Sequence, residues 1–201
     1  MRSMPPATSR TFTPRLLVLT GMIAFAVAFR LVTYFNPGAL PYNFTPVAAI
    51  ALFGGAYFAH RGLAVLVPLL AMLCADAAIA IALPASQLTH WLAMAPVIYV
   101  CVAAIAVAGF ALRNKVRAVN VILAAAGSAT GFYLVTNFFV WLTSGMYALT
   151  ASGLATCYVA ALPFYFQGSL LGTMVWSGVL FGGFALLSRR FPALRMTPAA
   201  A

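Results

Sequence analysis

Acidic residues are all but missing from this sequence: Asp76 stands alone against eleven lysines and arginines, and charged residues of every kind make up only 6% of the 201. A soluble domain carries roughly a quarter charged residues, because its surface must face water. A chain this poor in charge cannot cover itself that way, so its outer surface must meet lipid. One carboxylate cannot form the acid/base pair of a hydrolytic site, and no serine sits in a nucleophile-elbow pattern, so enzymatic chemistry is not expected. The three cysteines, Cys74, Cys101 and Cys157, have no metal or disulfide spacing and fall in or beside apolar runs. They read as small hydrophobes, and no metal or cofactor is expected. No phosphate-binding G-x-x-x-x-G-K-[ST] loop is present, so the chain does not hydrolyse ATP itself.

What the sequence has in abundance is apolar length. Hydrophobic residues make up 65% of the chain and the mean hydropathy is +1.05. A span needs roughly 20 apolar residues to cross the hydrocarbon layer. Six candidate spans follow, at about 16–35, 44–58, 63–83, 91–112, 118–142 and 164–187, within one all-α transmembrane domain. The first run is too long for a signal-peptide core and lacks a small-x-small cleavage site, so it reads as a retained span. The second, Phe44 to Phe58, is short and rich in small residues, and a half-span is the alternative. Thr143 to Leu162 reads as a long connection whose apolar part, Leu154 to Leu162, lies in the interface or dips into the protein. There is no internal repeat.

The net charge of +10 would suit nucleic acid, but the basic residues sit in short clusters between apolar runs. With the amino terminus in the cytoplasm, every Lys and Arg except Arg30 falls on that side, and the outer connections carry none. The positive-inside rule therefore places both termini in the cytoplasm and His60 and His90 on opposite sides.

Depth along the spans follows from a rise of ~1.5 Å per residue. Arg30 lies fifteen positions beyond Arg15, and Asp76 fifteen beyond Arg61 on a span running the same way. Both therefore sit about 22 Å from the cytoplasmic end. A charge in hydrocarbon costs about 2.5–3.5 kcal/mol on insertion scales, so it pairs or faces a wet cavity. Arg30 and Asp76 are expected to be neighbours or to share one polar cavity. Asn43, Gln87, His90, Tyr99, Thr136, Asn137 and Gln167 fall in the same outer half, which predicts a cavity opening outward. The bland alternative is that these groups satisfy one another across helices. The small residues Ala24 and Ala28 on the first span, and Gly54 and Gly55 on the second, let another helix approach closely. So do Gly172, Gly178 and the Gly182-Gly183 pair on the last.

The stretch Asn43-Phe44-Thr45-Pro46-Val47-Ala48-Ala49-Ile50-Ala51-Leu52-Phe53-Gly54-Gly55-Ala56-Tyr57-Phe58 resembles the signature of a family of uncharacterised bacterial membrane proteins. Arg30 before it, Asp76 on the third span, Trp91 and Tyr99 on the fourth, and the stretches 136–141 and 153–164 resemble other blocks of that family. Where the family often carries a Gly-Asp pair in the last span, this chain has Gly172-Thr173. The family has been likened to the substrate-binding S components of energy-coupling-factor (ECF) vitamin transporters. That likeness implies six helices in the bacterial inner membrane, an outward pocket, and small-molecule uptake in the vitamin or cofactor-precursor class. Its candidate substrate-binding residues are Arg30, Asn43, Asp76, Trp91, Tyr99, Asn137 and Gln167, with Phe138 a further ring for stacking. The likeness implies partner docking through Ala24 and Ala28, whose spacing fits an Ala-x-x-x-Ala motif of the S components; Gly54 and Gly55 join them as candidate partner-docking residues on their small size, with packing inside the chain the default reading. A separate ATPase and coupling module would supply the energy. If the substrate were cobalamin, Cys74 or His90 could ligate the cobalt. An accessory subunit of a larger membrane complex and a proton-coupled carrier working through Asp76 are the alternative expectations.

Overall fold

A computed structural model describes residues 14–36 and 38–194, without the side chain of His90. All regular structure among the described residues is helical. Helix α1 covers Pro14–Phe35, α2 Val47–Tyr57, α3 Arg61–Ala82 and α4 Ala85–Ala108, the last extended by a 3-10 turn at Gly109–Leu112. Helix α5 covers Ala118–Thr143. Helix α6 runs without interruption over Ala151–Arg190, 40 residues in all. Five of the six, all but α2, are long and apolar enough to cross a membrane.

The expected all-α bundle is present, with two corrections to its spans. The last helix begins at Ala151 rather than near Phe164, so Leu154 to Leu162 is its first turns and not a separate interfacial segment. Pro163 lies within it, and two segments wind as π-helix, Phe164–Leu170 and Gly178–Gly182. Proline removes one N–H from the hydrogen-bond ladder, and a π turn absorbs that loss without ending the helix. The second correction concerns α2, whose 11 residues measure about 16 Å. That is half of the roughly 30 Å hydrocarbon thickness.

Helix α2 is short because it is the centre of the bundle. It packs against α3, α4, α5, α6 and α1, while the long helices neighbour one another around it. Every residue from Ala49 to Ala56 is buried. A helix that is apolar all round belongs in a core. Gly54 and Gly55 let its neighbours close in. A Cβ at Gly54 would come 2.7 Å from Pro68 Cγ of α3, and one at Gly55 would collide with the Ala106 carbonyl of α4. Both glycines are thus used inside the chain, and the expectation that they dock an external helix is overturned. Gly172 is used likewise, against Phe44 and Thr45, while Ala24 and Ala28 are exposed on α1.

The carbonyls at the end of a helix have no partner within it and need donors. For α2, two arginines supply them. Arg15 Nη2 donates to the Tyr57 carbonyl at 2.9 Å. Arg113 donates from Nε to Gly55 at 3.0 Å, from Nη2 to Phe58 at 2.8 Å and from Nη1 to Ala59 at 3.3 Å. Cations at a helix C-terminus also suit its dipole. Arg15 Nη1 further reaches the Leu194 carbonyl at 3.3 Å, so the start of α1 and the end of the described chain lie at one end of the bundle. This basic end also holds Arg61 and Arg113, both against Phe110.

Candidate functional site

At the other end, the long helices continue beyond α2 and enclose space that it does not fill. The chain returns through this space along residues 38–46, outside any helix. Two left-handed residues turn it, Gly38 at φ +93° and Asn43 at φ +65°. Glycine takes that conformation freely, and asparagine is among the few other residues that accept it. The segment leans on α6 at Gly168, where a Cβ would collide with the Tyr42 carbonyl. Between it, α1 and the α3–α4 connection lies a cavity of about 910 Å³. Its polar lining includes Arg30, Thr33, Asn43, Thr45, Ser86 and Gln87, and Tyr34, Tyr42, Phe44 and Trp91 supply rings.

Arg30 ties this cavity to the intramembrane acid. Its Nη2 lies 2.7 Å from Oδ1 of Asp76, with the arginine side chain 16% exposed and the aspartate 4%. Tyr99 Oη donates to Asp76 Oδ2 at 3.0 Å. One carboxylate thus holds α1, α3 and α4 together at about the level where α2 begins. Arg30 Nη1 is buried and has no hydrogen-bond partner among the described residues. Asp76 and Tyr99 do not line the cavity, so Arg30 is the charged group it presents among the described residues. The expectation that Arg30 and Asp76 meet is correct.

Of the residues singled out from the sequence, the structure gathers Arg30, Asn43 and Trp91 around one cavity, with Asp76 and Tyr99 behind Arg30. Asn137 and Gln167 are not brought there. Asn137 Nδ2 bonds the Tyr133 carbonyl one turn back, and its own carbonyl accepts from Cys157 Sγ, which places it in the α5–α6 interface. Gln167 is exposed, while its neighbour Gly168 takes the face toward Tyr42. Phe138 is exposed among Phe139 and Trp141 rather than in the cavity. Cys74 is exposed and outside the cavity lining. The His90 side chain lies outside the described residues.

A family model described as "Family of unknown function (DUF6580)" matches residues 10–194. The chain belongs to that family. No curated protein and no solved structure matches it. In this family member the matched region takes in every helix, the cavity and the Arg30–Asp76 pair. Sequence reasoning missed Thr33, Tyr34, Tyr42 and Thr45 as lining residues. The signal for them was the brevity of the second apolar segment, which leaves the preceding chain to enter the bundle unwound.

A second, smaller space of about 30 Å³ lies where α2 begins, lined by Asn43, Thr45, Ser169 and Thr173 among others. Thr173 is buried and returns its hydroxyl to the Ser169 carbonyl at 2.6 Å. Asn43 and Thr45 line both spaces, so the polar lining continues inward to the top of the central helix.

Proposed function

We propose that this chain is a multi-pass membrane protein that binds a small molecule in an outward-opening cavity, as the substrate-binding subunit of an uptake system. The observation that carries the reading is the 910 Å³ cavity with Arg30 in its wall and a buried Nη1 that no group among the described residues satisfies. Pockets of roughly 300–1,000 Å³, mostly apolar with a few placed polar groups, are the ordinary dimensions of small-molecule sites. A guanidinium recognises a carboxylate or phosphate through paired N–H donors. Trp91, Tyr34 and Tyr42 offer faces for a planar ring, and Asn43, Thr45 and Gln87 offer hydrogen bonds. A ring-bearing anion of vitamin or cofactor-precursor size fits this chemistry.

The basic end lies in the cytoplasm under the positive-inside rule, which turns the cavity outward, and the bacterial inner membrane is the setting. Helix α2 and its two arginine caps close the path inward, so movement of a substrate needs a partner. A separate ATPase and coupling module, as in the ECF systems whose S components the sequence resembles, would fill that role. Ala24 and Ala28, exposed on α1, are the residues through which such a partner helix would approach. The role is binding rather than catalysis, since the only carboxylate is already held by Arg30 and Tyr99.

Ligand retention tests this reading. The protein would be purified in mild detergent and its co-purified small molecules identified by native mass spectrometry. Trp91→Ala and Arg30→Ala each remove a wall of the cavity, and both should lose a metabolite that the wild type keeps. Trp91 has no part in the ion pair, so its variant separates lost binding from lost folding. An empty wild type that also fails to bind any of a panel of small carboxylates would refute it.

A further inference from the structure

Arg61 opens α3 and Arg113 follows the 3-10 turn after α4, and their guanidiniums share one ring. Arg61 Cζ lies 5.8 Å and Arg113 Cζ 4.5 Å from the Phe110 ring centroid. Burial and, second to it, the nearby Arg61 charge weaken the hold of Arg113 on its proton. Arg113 is occupied with the carbonyls of α2. Arg61 is exposed and donates to no carbonyl or carboxylate among the described residues. Lys115 and Arg117, two and four positions beyond Arg113, are exposed as well. Their turn is fixed by Asn114 at φ +60° and by a 2.7 Å bond from Asn120 Nδ2 to the Lys115 carbonyl.

No acidic side chain of this sequence can neutralise these charges, because Asp76 is the only one and is buried with Arg30. What adjoins them is hydrocarbon surface. Val119, Ile122 and Leu123 at the start of α5, directly after Arg117, are 54–66% exposed. Cations bordering an apolar skirt match a phosphate carried on acyl chains. An acidic protein segment would answer the charge and leave the skirt unexplained. We infer that Arg61, Lys115 and Arg117 form a binding site for the headgroup phosphate of an anionic phospholipid, whose chains lie along Val119, Ile122 and Leu123. Phe110 holds the Arg61 guanidinium at the rim, so the site is built rather than a loose cloud of charge. The site does not depend on the cavity reading and stands at the opposite end of the bundle.

The test uses the full chain, delipidated in detergent, with lipid binding read by native mass spectrometry. Phosphatidylglycerol, phosphatidylcholine of the same chains, and inorganic phosphate would be titrated against the wild type, R61Q/K115Q/R117Q and R189Q/R190Q. The wild type should prefer phosphatidylglycerol to phosphatidylcholine. The triple variant should lose about a hundred-fold of that affinity, taking about five-fold for each basic residue near a headgroup layer. R189Q/R190Q should lose less than about five-fold. K115Q/R117Q, which leaves the Phe110 stack untouched, should lose an intermediate amount and covers the case in which the triple variant does not fold. Equal losses in the two sets of variants would show diffuse attraction and overturn the site. So would unchanged binding in K115Q/R117Q, or inorganic phosphate binding as tightly as the lipid.

Discussion

Replacing Asp76 by Asn keeps the shape of the Arg30–Asp76–Tyr99 cluster and removes its negative charge. Breaking a buried ion pair by deleting one partner typically costs about 3–5 kcal/mol, because the other charge stays behind uncompensated. Here the stranded charge is Arg30, which is partly exposed at a cavity wall and can draw on solvent there. The lower end applies, about 3 kcal/mol. The Tyr99 hydroxyl keeps an acceptor in the new amide, so its bond adds little to the loss. Arg30→Met alone strands the more deeply buried carboxylate and should cost more, about 3–5 kcal/mol. The double variant Arg30→Met with Asp76→Asn leaves no stranded charge and should lie within about 1–2 kcal/mol of wild type. The singles and the double therefore should not add, with a coupling of about 2 kcal/mol or more. Reversible unfolding in mixed micelles, followed by tryptophan fluorescence, measures all four corners of the cycle. Additive losses, or an Asp76→Asn cost below about 0.5 kcal/mol, would refute the claim that this pair holds three helices together.

Three further outcomes follow from the packing and the ends of the bundle. Gly55→Ala should destabilise by about 1–3 kcal/mol or more, as overpacking does, because the obstacle is the Ala106 carbonyl and not a flexible side chain. Gly127→Ala, with open space around it, should be neutral or stabilising by up to about 1 kcal/mol in the same unfolding assay. Arg113→Gln should cost about 2–4 kcal/mol through the lost charge-assisted bonds, and Arg113→Lys should recover less than half, since an ammonium cannot reach three carbonyls in a fork. In a Cys74→Ala background, Ser86→Cys should react with an impermeant thiol reagent in intact cells, and Lys115→Cys only after the membrane is opened; the reverse pattern would invert the orientation.

The fold was legible because its strongest signals are one-dimensional. Apolar run length places five long helices, and the spacings from Arg15 to Arg30 and from Arg61 to Asp76 bring those charges to one depth. Depth alone does not give rotation about a helix axis. Asn137 and Gln167 are at suitable heights and face elsewhere, one into the α5–α6 interface and the other outward. The apolar turns from Leu154 to Leu162 joined the last helix because Pro163 bends the hydrogen-bond ladder into π turns instead of ending it. Gly54 and Gly55 are legible as a close-approach face, but small residues look alike in sequence whether the approaching helix belongs to the same chain or another. Arg15 and Arg113 looked like topology markers only. Their role as caps depends on the end of α2 falling between them, which no local pattern announces.

Much of the cavity wall is the unwound chain that leads into α2, from Gly38 to Thr45. Winding one more turn ahead of Val47 would take about four of these residues out of the irregular wall and into the helix. Such a change leaves the outer ring, the arginine caps and the Arg30–Asp76 pair in their places. The point at which the chain begins to wind therefore sets how much of the wall is irregular backbone. Related chains could accommodate ligands of different size by insertions and deletions in the segment before Val47, with the rest of the bundle unchanged.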